Sequence, residues 1–319
     1  MSMTLAKTAN PFLSVIIPCF NEEAVLDELL SRLLAVCRRV AHDNFEAIIV
    51  NDGSTDLTWA KICGYVDQYP QIVGVDLSRN HGHQLALSAG LRLCQGDFIF
   101  ILDADLQDPP ELLAEMMEIA KDQADVVYGK RRRRAGESLF KRMSASAFYR
   151  FINIFSGIKI PEDTGDFRLM RRRVLDIFLA MPERHRFVRG MIAWIGLKQV
   201  AFLYNREPRF AGKTQYTLAK MIQFSIDAIT SFSTKPLRFC FYLACFGIVL
   251  FTCVSVWVFW ILVQGKTVPG WASIVLLLLL TSIIHLFTMG VIGEYVGRIF
   301  EEVKNRPLYS ISEIRKHTC

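Results

Sequence analysis

Paired cysteines are missing from this sequence. The eight cysteines stand at positions 19, 37, 63, 94, 240, 245, 253 and 319, and no two form a C-x-x-C pair. That spacing excludes a zinc ribbon and gives no disulfide framework, so reduced thiols in a cytosolic compartment are expected. Before Leu13 there is no apolar stretch of signal-peptide length. Residues 1–234 hold no apolar run longer than a buried strand or helix. No G-x-G-x-x-G follows the first apolar segment, which argues against a dinucleotide-dependent oxidoreductase. Disorder is excluded as well, because apolar residues make up 52% of the 319 positions.

What is present divides at about Lys235. Two uncharged apolar runs follow, Phe239–Val263 and Trp271–Gly293. At 1.5 Å per helical residue, each is long enough for a hydrocarbon core of ~30 Å. Lys235 and Arg238 flank the first run, and Arg298, Lys304 and Arg306 follow the second. A single charge, Lys266, lies in the connection Gln264–Gly270. The positive-inside rule then sets both flanks in the cytoplasm. The expected protein is an integral two-pass protein of the inner or plasma membrane, with both termini cytoplasmic.

Residues 1–234 alternate between strand and helix patterns. Strands are expected at Leu13–Pro18, Phe45–Val50, Ile72–Leu77, Phe98–Leu102 and from Asp125–Tyr128. Helices are expected at Glu22–Ala41, Leu57–Gln68, Gln84–Cys94 and Pro109–Lys121. Near-continuous apolar strands alternating with helices predict an α/β fold with a mostly parallel sheet covered on both faces. Such sheets bind ligands beyond the carboxyl ends of their strands. The segments there are 18–23, 51–56, 78–82 and 103–108, and three of the four carry carboxylates.

Asp103-Ala104-Asp105 is the sharpest of these features. Two carboxylates at i and i+2 beyond an apolar strand suit a divalent ion shared with a diphosphate. Mg²⁺ and Mn²⁺ take oxygen ligands, and Mg²⁺ typically uses one or two carboxylates plus substrate phosphates. Gln107 could add a carbonyl oxygen. Residues 129–150 carry eight basic side chains against Glu137, and 8 − 1 = +7. With apolar spans downstream, an anionic membrane surface suits that cluster better than nucleic acid. Segments 138–156 and 214–234 each show an apolar stripe and read as amphipathic helices on the membrane. A diphosphate leaving group needs cations where charge develops, and Arg206 and Lys213 are expected to close over it. His81-Gly82-His83 reads as helix capping or nucleotide packing rather than as a metal pair.

The quoted stretches resemble the inverting glycosyltransferases of family 2. Specifically, the chain is similar to the polyprenyl-phosphate branch, which includes dolichol-phosphate mannose synthases and bactoprenol glucosyltransferases. The resemblance is carried by V-I-I-P-C-F-N-E-E (15–23), V-N-D-G-S-T-D (50–56), D-A-D-L-Q-D-P-P (103–110) and G-D-F-R-L-M (165–170). Further matches are M-P-E-R-H-R-F (181–187), F-A-G-K-T-Q-Y (210–216), I-T-S-F-S-T-K-P-L-R (229–238) and G-E-Y-V-G-R (293–298). They run through nearly the whole chain, and the second group looks closest to the bactoprenol enzymes.

The resemblance implies a GT-A domain over residues 1–212 and a juxtamembrane amphipathic helix over 213–236. It also implies a two-helix transmembrane segment over 237–297 and a cytoplasmic tail over 298–319. By resemblance, Pro18, Asn21, Glu22 and Asp52 line the nucleotide pocket. Asp103 and Asp105, helped by Gln107, hold Mg²⁺ or Mn²⁺ and the diphosphate. Arg131, Arg142 and Ser146 grip the acceptor phosphate. Asp166 belongs to the site, as a base, as a positioning group for substrate, or as a partner of Arg168.

The expected reaction moves a hexose, glucose from UDP-glucose, to undecaprenyl phosphate with inversion. GDP-mannose and UDP-aminoarabinose-type donors remain alternatives, and a non-catalytic sugar-nucleotide scaffold is the rival of another class. A processive synthase is disfavoured, because the Q-x-x-R-W motif of such enzymes is missing. The expected partners are nucleotide sugar, lipid phosphate, the membrane and further copies of the chain, up to a tetramer.

Overall fold

The computed structural model describes residues 11–132, 164–184, 186–205, 235–264 and 270–317. The chain forms two compact units. One contains residues 1–150, 158–217 and 306–319, and the other contains 151–157 and 218–305.

An eight-stranded sheet organises the first unit. Its strands are β1 (Leu13–Cys19), β2 (Phe45–Asn51), β3 (Ile72–Leu77), β4 (Phe98–Ile101), β5 (Val126–Arg131), β6 (Thr164–Arg171), β7 (Gln199–Tyr204) and β8 (Ile311–Lys316). They lie in the order β7-β5-β6-β4-β1-β2-β3-β8. The pairs β1·β2, β1·β4, β2·β3 and β5·β7 are parallel. The pairs β3·β8, β4·β6 and β5·β6 are antiparallel. The expected α/β class and mostly parallel sheet are therefore present, with antiparallel members that periodicity did not reveal.

Six helices accompany this sheet among the described residues: α1 (Leu26–Ala41), α2 (Thr58–Gln68), α3 (His83–Leu93), α4 (Leu113–Asp122), α5 (Arg172–Ala180) and α6 (Val188–Ile195). Strand β1 is buried at every position, which is why it reads as an unbroken apolar run. Helix α1 buries Leu26, Leu29, Leu30, Leu33, Leu34 and Cys37, the i, i+3, i+4 stripe of a helix on a sheet. Burial pushes the Cys37 thiol up to about 12, so it behaves as an inert core group.

Several boundaries differ from the sequence reading, for local reasons. Helix α1 starts at Leu26 rather than Glu22, because Glu22 N–H donates to Thr58 Oγ1 (2.9 Å) and Glu23 N–H to Asp56 Oδ2 (3.3 Å). These bonds tie the chain to the loop after β2 before the helix begins. A 3-10 turn, Pro110–Leu112, precedes α4. Residues 311–316, expected within a tail, form the edge strand β8 on β3.

The second unit holds α7 (Lys235–Val263) and α8 (Trp271–Lys304). Both are long and apolar enough to cross a membrane, judged by length and composition. At 29 and 34 residues they span about 44 and 51 Å. Helix α8 runs past Gly293, where the apolar run ends.

The strand-end loops pack so closely that one glycine has no substitute. Gly53 has φ +66°, and an added Cβ would lie 2.4 Å from the Arg79 carbonyl carbon. Backbone offers no rotamer escape. Gly53→Ala is therefore expected to cost at least ~1–3 kcal/mol. It should appear as a lower unfolding midpoint of the purified protein, and an unchanged midpoint would contradict this packing.

Candidate active site

Because β1, β2, β3 and β4 run in one direction, their carboxyl ends share one edge of the sheet. The loops there are tied to one another by side chains. Asn21, at φ +56°, accepts from Thr55 N–H at 2.9 Å, and its own N–H donates to Ser54 Oγ at 2.9 Å. An asparagine tolerates this left-handed backbone better than most residues. Asn51 Nδ2 donates to Asp76 Oδ1 at 2.7 Å, which joins the ends of β2 and β3.

Asp52 is 2% exposed and accepts two backbone bonds. His81 N–H reaches Oδ1 at 2.7 Å, and Gly82 N–H reaches Oδ2 at 2.9 Å. Asp52 thereby shapes the loop between β3 and α3. Burial raises its pKa against the pull of these two donors. Pro18 is buried at the end of β1. Asn21 is exposed and Glu22 half-buried on the adjoining loop.

The antiparallel register creates the centre of the site. Along β4·β6, Phe98 faces Arg171 and Ile101 faces Arg168. Continuing that register two residues sets Asp166 opposite Asp103. The first turn of α3 supplies what stands with both. His83 Nε2 lies 3.5 Å from Asp103 Oδ1 and 3.3 Å from Asp166 Oδ2. Gln84 Nε2 donates to Asp166 Oδ2 at 2.8 Å, while Gln84 Oε1 accepts from Val188 N–H at 3.0 Å. Arg189 Nη2 and Arg168 Nη2 stand 3.6 and 3.7 Å from Asp166 Oδ1. Asp166 thus joins α3, β6 and α6.

The two carboxylates are in opposite electrostatic situations. Burial would raise the Asp166 pKa, but Arg189, His83 and Arg168 hold it far below the usual carboxylate range. Asp103 is pushed up to about 6, first by burial, with His83 opposing and Asp166, Asp108 and Asp105 adding to the rise. Burial would lower His83, yet Asp103 and Asp166 lift it to about 9. The centre is therefore an alternation of charges: Asp103, His83, Asp166, then the two arginines.

A metal test follows from the same atoms. Asp103 Oδ1 is buried without a hydrogen-bond donor among the described residues. His83 Nε2, 3.5 Å away, gives this oxygen an ion pair but no hydrogen bond, so it is still open to a cation. Asp105 is 8% exposed, and its Oδ1 accepts from Gln107 N–H at 3.2 Å. Among the described residues no group of three or more His, Cys, Asp or Glu closes into a metal cage. These donors fit an ion that shares its shell with substrate phosphates.

Arg131 ends β5 beside a second carboxylate. Tyr204 Oη donates to the fully buried Asp108 at 2.5 Å. Burial would lower Arg131, but Asp108 and Tyr204 raise it. Arg206, Lys213, Arg142 and Ser146 lie outside the described residues.

The structure therefore brings Asp103, Asp105, Gln107 and Asp166 to the edge that also carries Asp52, Asn21 and Glu22. Sequence reasoning missed Gln84, Arg189, Asp108 and Tyr204, and it read His83 as helix capping or nucleotide packing rather than as a partner of two carboxylates. Only His83 carried a usable signal, as the first helical residue after a strand-end loop.

The chain is similar in sequence to known proteins over most of its length. The family model described as Glycosyl transferase family 2 matches residues 14–178. The chain is 43% identical over 304 residues to the uncharacterized glycosyltransferase YkcC of Bacillus subtilis, covering 94% of this chain and 93% of that one. It is 35% identical over 308 residues to the prophage bactoprenol glucosyl transferase homolog of Escherichia coli, covering 95% and 99%. The SfII prophage-derived bactoprenol glucosyl transferase of Shigella flexneri is 35% identical over 302 residues, covering 94% and 97%.

The network around Asp166 makes a stability prediction. Arg168 is 2% exposed, so loss of its anion leaves a buried charge without a counterion. Asp166→Asn is expected to cost ~3–5 kcal/mol, read as a shift in the denaturation midpoint. An unchanged midpoint would mean that the arginines are matched elsewhere.

Proposed function

The chain belongs to glycosyl transferase family 2, and on that premise we propose that it moves glucose from UDP-glucose to undecaprenyl phosphate. Family membership makes it a glycosyltransferase of GT-A fold. The observation that carries the finer reading is the extent of the likeness to relatives called bactoprenol glucosyl transferases. It covers 94–95% of this chain, the two apolar helices included. A sheet edge suited to a diphosphate and a pair of apolar helices suit a charged donor and a lipid acceptor respectively.

The reaction is an in-line displacement. An oxygen of the acceptor phosphate attacks the anomeric carbon as the bond from that carbon to the diphosphate oxygen breaks. UDP leaves, and the α-linked donor gives a β-linked polyprenyl-phosphate sugar. A lipid monophosphate has a second pKa of about 6 and is mostly dianionic at neutral pH. It needs no general base. The environment of Asp166 supports that economy, because a carboxylate held so far down is a poor proton acceptor near neutrality. Its role is to hold His83, Gln84, Arg168 and Arg189 around the reacting centre.

Asp103 and Asp105, with Gln107, would hold Mg²⁺ or Mn²⁺, which supplies charge neutralisation to the diphosphate when bound. Pro18, Asn21, Glu22 and Asp52 would line the nucleotide pocket, with Asp52 acting through the 81–82 loop. Arg206 and Lys213 would close over the diphosphate, and Arg131, Arg142 and Ser146 would hold the acceptor phosphate. In this reading the chain crosses the membrane twice, with the catalytic domain and both termini in the cytoplasm. The domain boundaries are those expected above, with residues 311–316 joined to the catalytic sheet. Gly290, Gly293 and Gly297 on α8 have open space around them and would let helices of further copies approach closely.

The test is label transfer to undecaprenyl phosphate from UDP-glucose, with GDP-mannose in parallel. Lipid-linked glucose is expected with Mg²⁺ or Mn²⁺ and is expected to disappear with EDTA. Asp105→Ala should lower kcat/KM by at least ~100-fold. Label from GDP-mannose alone would keep the mechanism and replace the sugar. Nucleotide binding without any transfer would favour the scaffold.

A further inference from the structure

The chain returns to its catalytic sheet after α8. Only six residues separate Lys304 from β8, and β8 lies on β3 beside the loop that builds the candidate donor site. The register pairs Val73 with Lys316, Val75 with Ile314, and Leu77 with Ile311. Arg315 Nη2 donates to both carboxylate oxygens of Asp67 on α2, each at 2.9 Å. His317 Nδ1 lies 3.1 Å from the Val66 carbonyl oxygen.

Contacts continue past the ladder into the 78–82 loop. Ser78 N–H donates to the Ser310 carbonyl at 3.0 Å. The hydroxyls of Ser78 and Ser310 are 2.5 Å apart. Ser310 N–H points at His81 Nε2 at 3.5 Å. Tyr309, next in line, packs near Arg92 and Arg186.

The 78–82 loop is held by partners outside itself. Gly82 has φ +94°, and α3 has no side-chain N-cap bond. Its order comes from two directions: Asp52 holds the amides of His81 and Gly82 from one side, and Ser310 holds Ser78 and His81 from the other. The next two residues are His83 and Gln84, which stand on Asp103 and Asp166.

We propose that the C-terminal strand is a working part of the donor site, with Ser310 positioning the 78–82 loop so that Asp52, His83 and Gln84 take their places. The inference rests on the donor reading given above. It assigns a positioning role to residues that lie more than 200 positions from the Asp52 loop in sequence and touch no substrate. The bland alternative is that β8 merely covers the edge of β3. The two differ in whether disturbing β8 changes nucleotide affinity.

The ladder contains a built-in point of weakness that serves the test. Asp76 and Glu313 are paired residues, and like charges directly opposite destabilise a strand pair. Ile314→Pro should weaken the ladder, because proline fixes φ near −65°, far from extended antiparallel geometry, and restricts the residue before it. Glu313→Gln should tighten it. Neither residue belongs to the catalytic machinery.

The experiment uses the full chain in detergent and follows two readouts. Hydrogen exchange over residues 78–84 is expected to speed up by about tenfold in Ile314→Pro and by about threefold in Ser310→Ala. It should recover in Ser310→Thr and slow in Glu313→Gln, with β1 and β2 unchanged throughout. The Kd for UDP with Mg²⁺ is expected to rise by similar factors in the first two variants, while KM for undecaprenyl phosphate stays within about twofold. Faster loop exchange with unchanged UDP affinity would overturn the proposal in favour of edge protection. Unchanged exchange would overturn it outright. Wild-type protein that binds neither UDP nor GDP would overturn the donor reading itself, and this role with it. A general collapse in Ile314→Pro would show as faster exchange in β1 and β2, and the serine and Glu313→Gln variants then decide.

Discussion

A carboxylate buried in protein must be matched by cations and donors, or it takes up a proton. Asp166 meets that requirement with four side chains from three elements: His83 and Gln84 on α3, Arg168 on β6 and Arg189 on α6. Much of the catalytic edge depends on this one solution. It sets the start of α3 against β6, it locks Val188 N–H through Gln84, and it leaves His83 facing Asp103. Asp103 Oδ1, ion-paired with His83 but without a hydrogen bond among the described residues, is then placed to take a further cation.

Around that centre, the loops beyond the strands are ordered by one another. Asn21 and Glu22 bind the loop after β2, Gly53 lets that loop touch the backbone after β3, and Asp52 holds the amides that begin α3. Polar groups that water would otherwise satisfy are paired across loops, which preorganises the edge before any substrate arrives. The strand returning after α8 adds a further pairing from the far end of the chain.

In the proposed reaction the nucleophile is a phosphate, which needs no base, so the acidic residues would position cations rather than move protons. The two neighbouring carboxylates have opposite pKa displacements because Arg189, His83 and Arg168 outweigh burial at Asp166, whereas burial, aided by nearby acids, outweighs His83 at Asp103.

Much of this was legible in the residues and some was not. Strands β1 to β4 and their helices read directly, because buried parallel strands are continuous apolar runs and helices on a sheet keep a 3.6-residue stripe. Asp103, Asp105 and Asp166 were legible as short polar motifs after or within such runs. Strand β6 was less legible: D-F-R-L does alternate charged with apolar residues, as a strand does, but Asp166 and Arg168 are buried rather than solvent-facing, so the segment reads as a polar motif as readily as a strand. Strand β8, I-S-E-I-R-K, is short, polar and half-exposed, so nothing local separates it from a solvated tail. The sequence by itself determined the α/β layering, the apolar spans and the family, because those follow from periodicity, run length and local motif. Only the tertiary structure decided that Asp166 faces Asp103 across His83, and that the last strand lies beside the 78–82 loop. Both depend on antiparallel register between segments far apart in the chain, which local patterning does not encode.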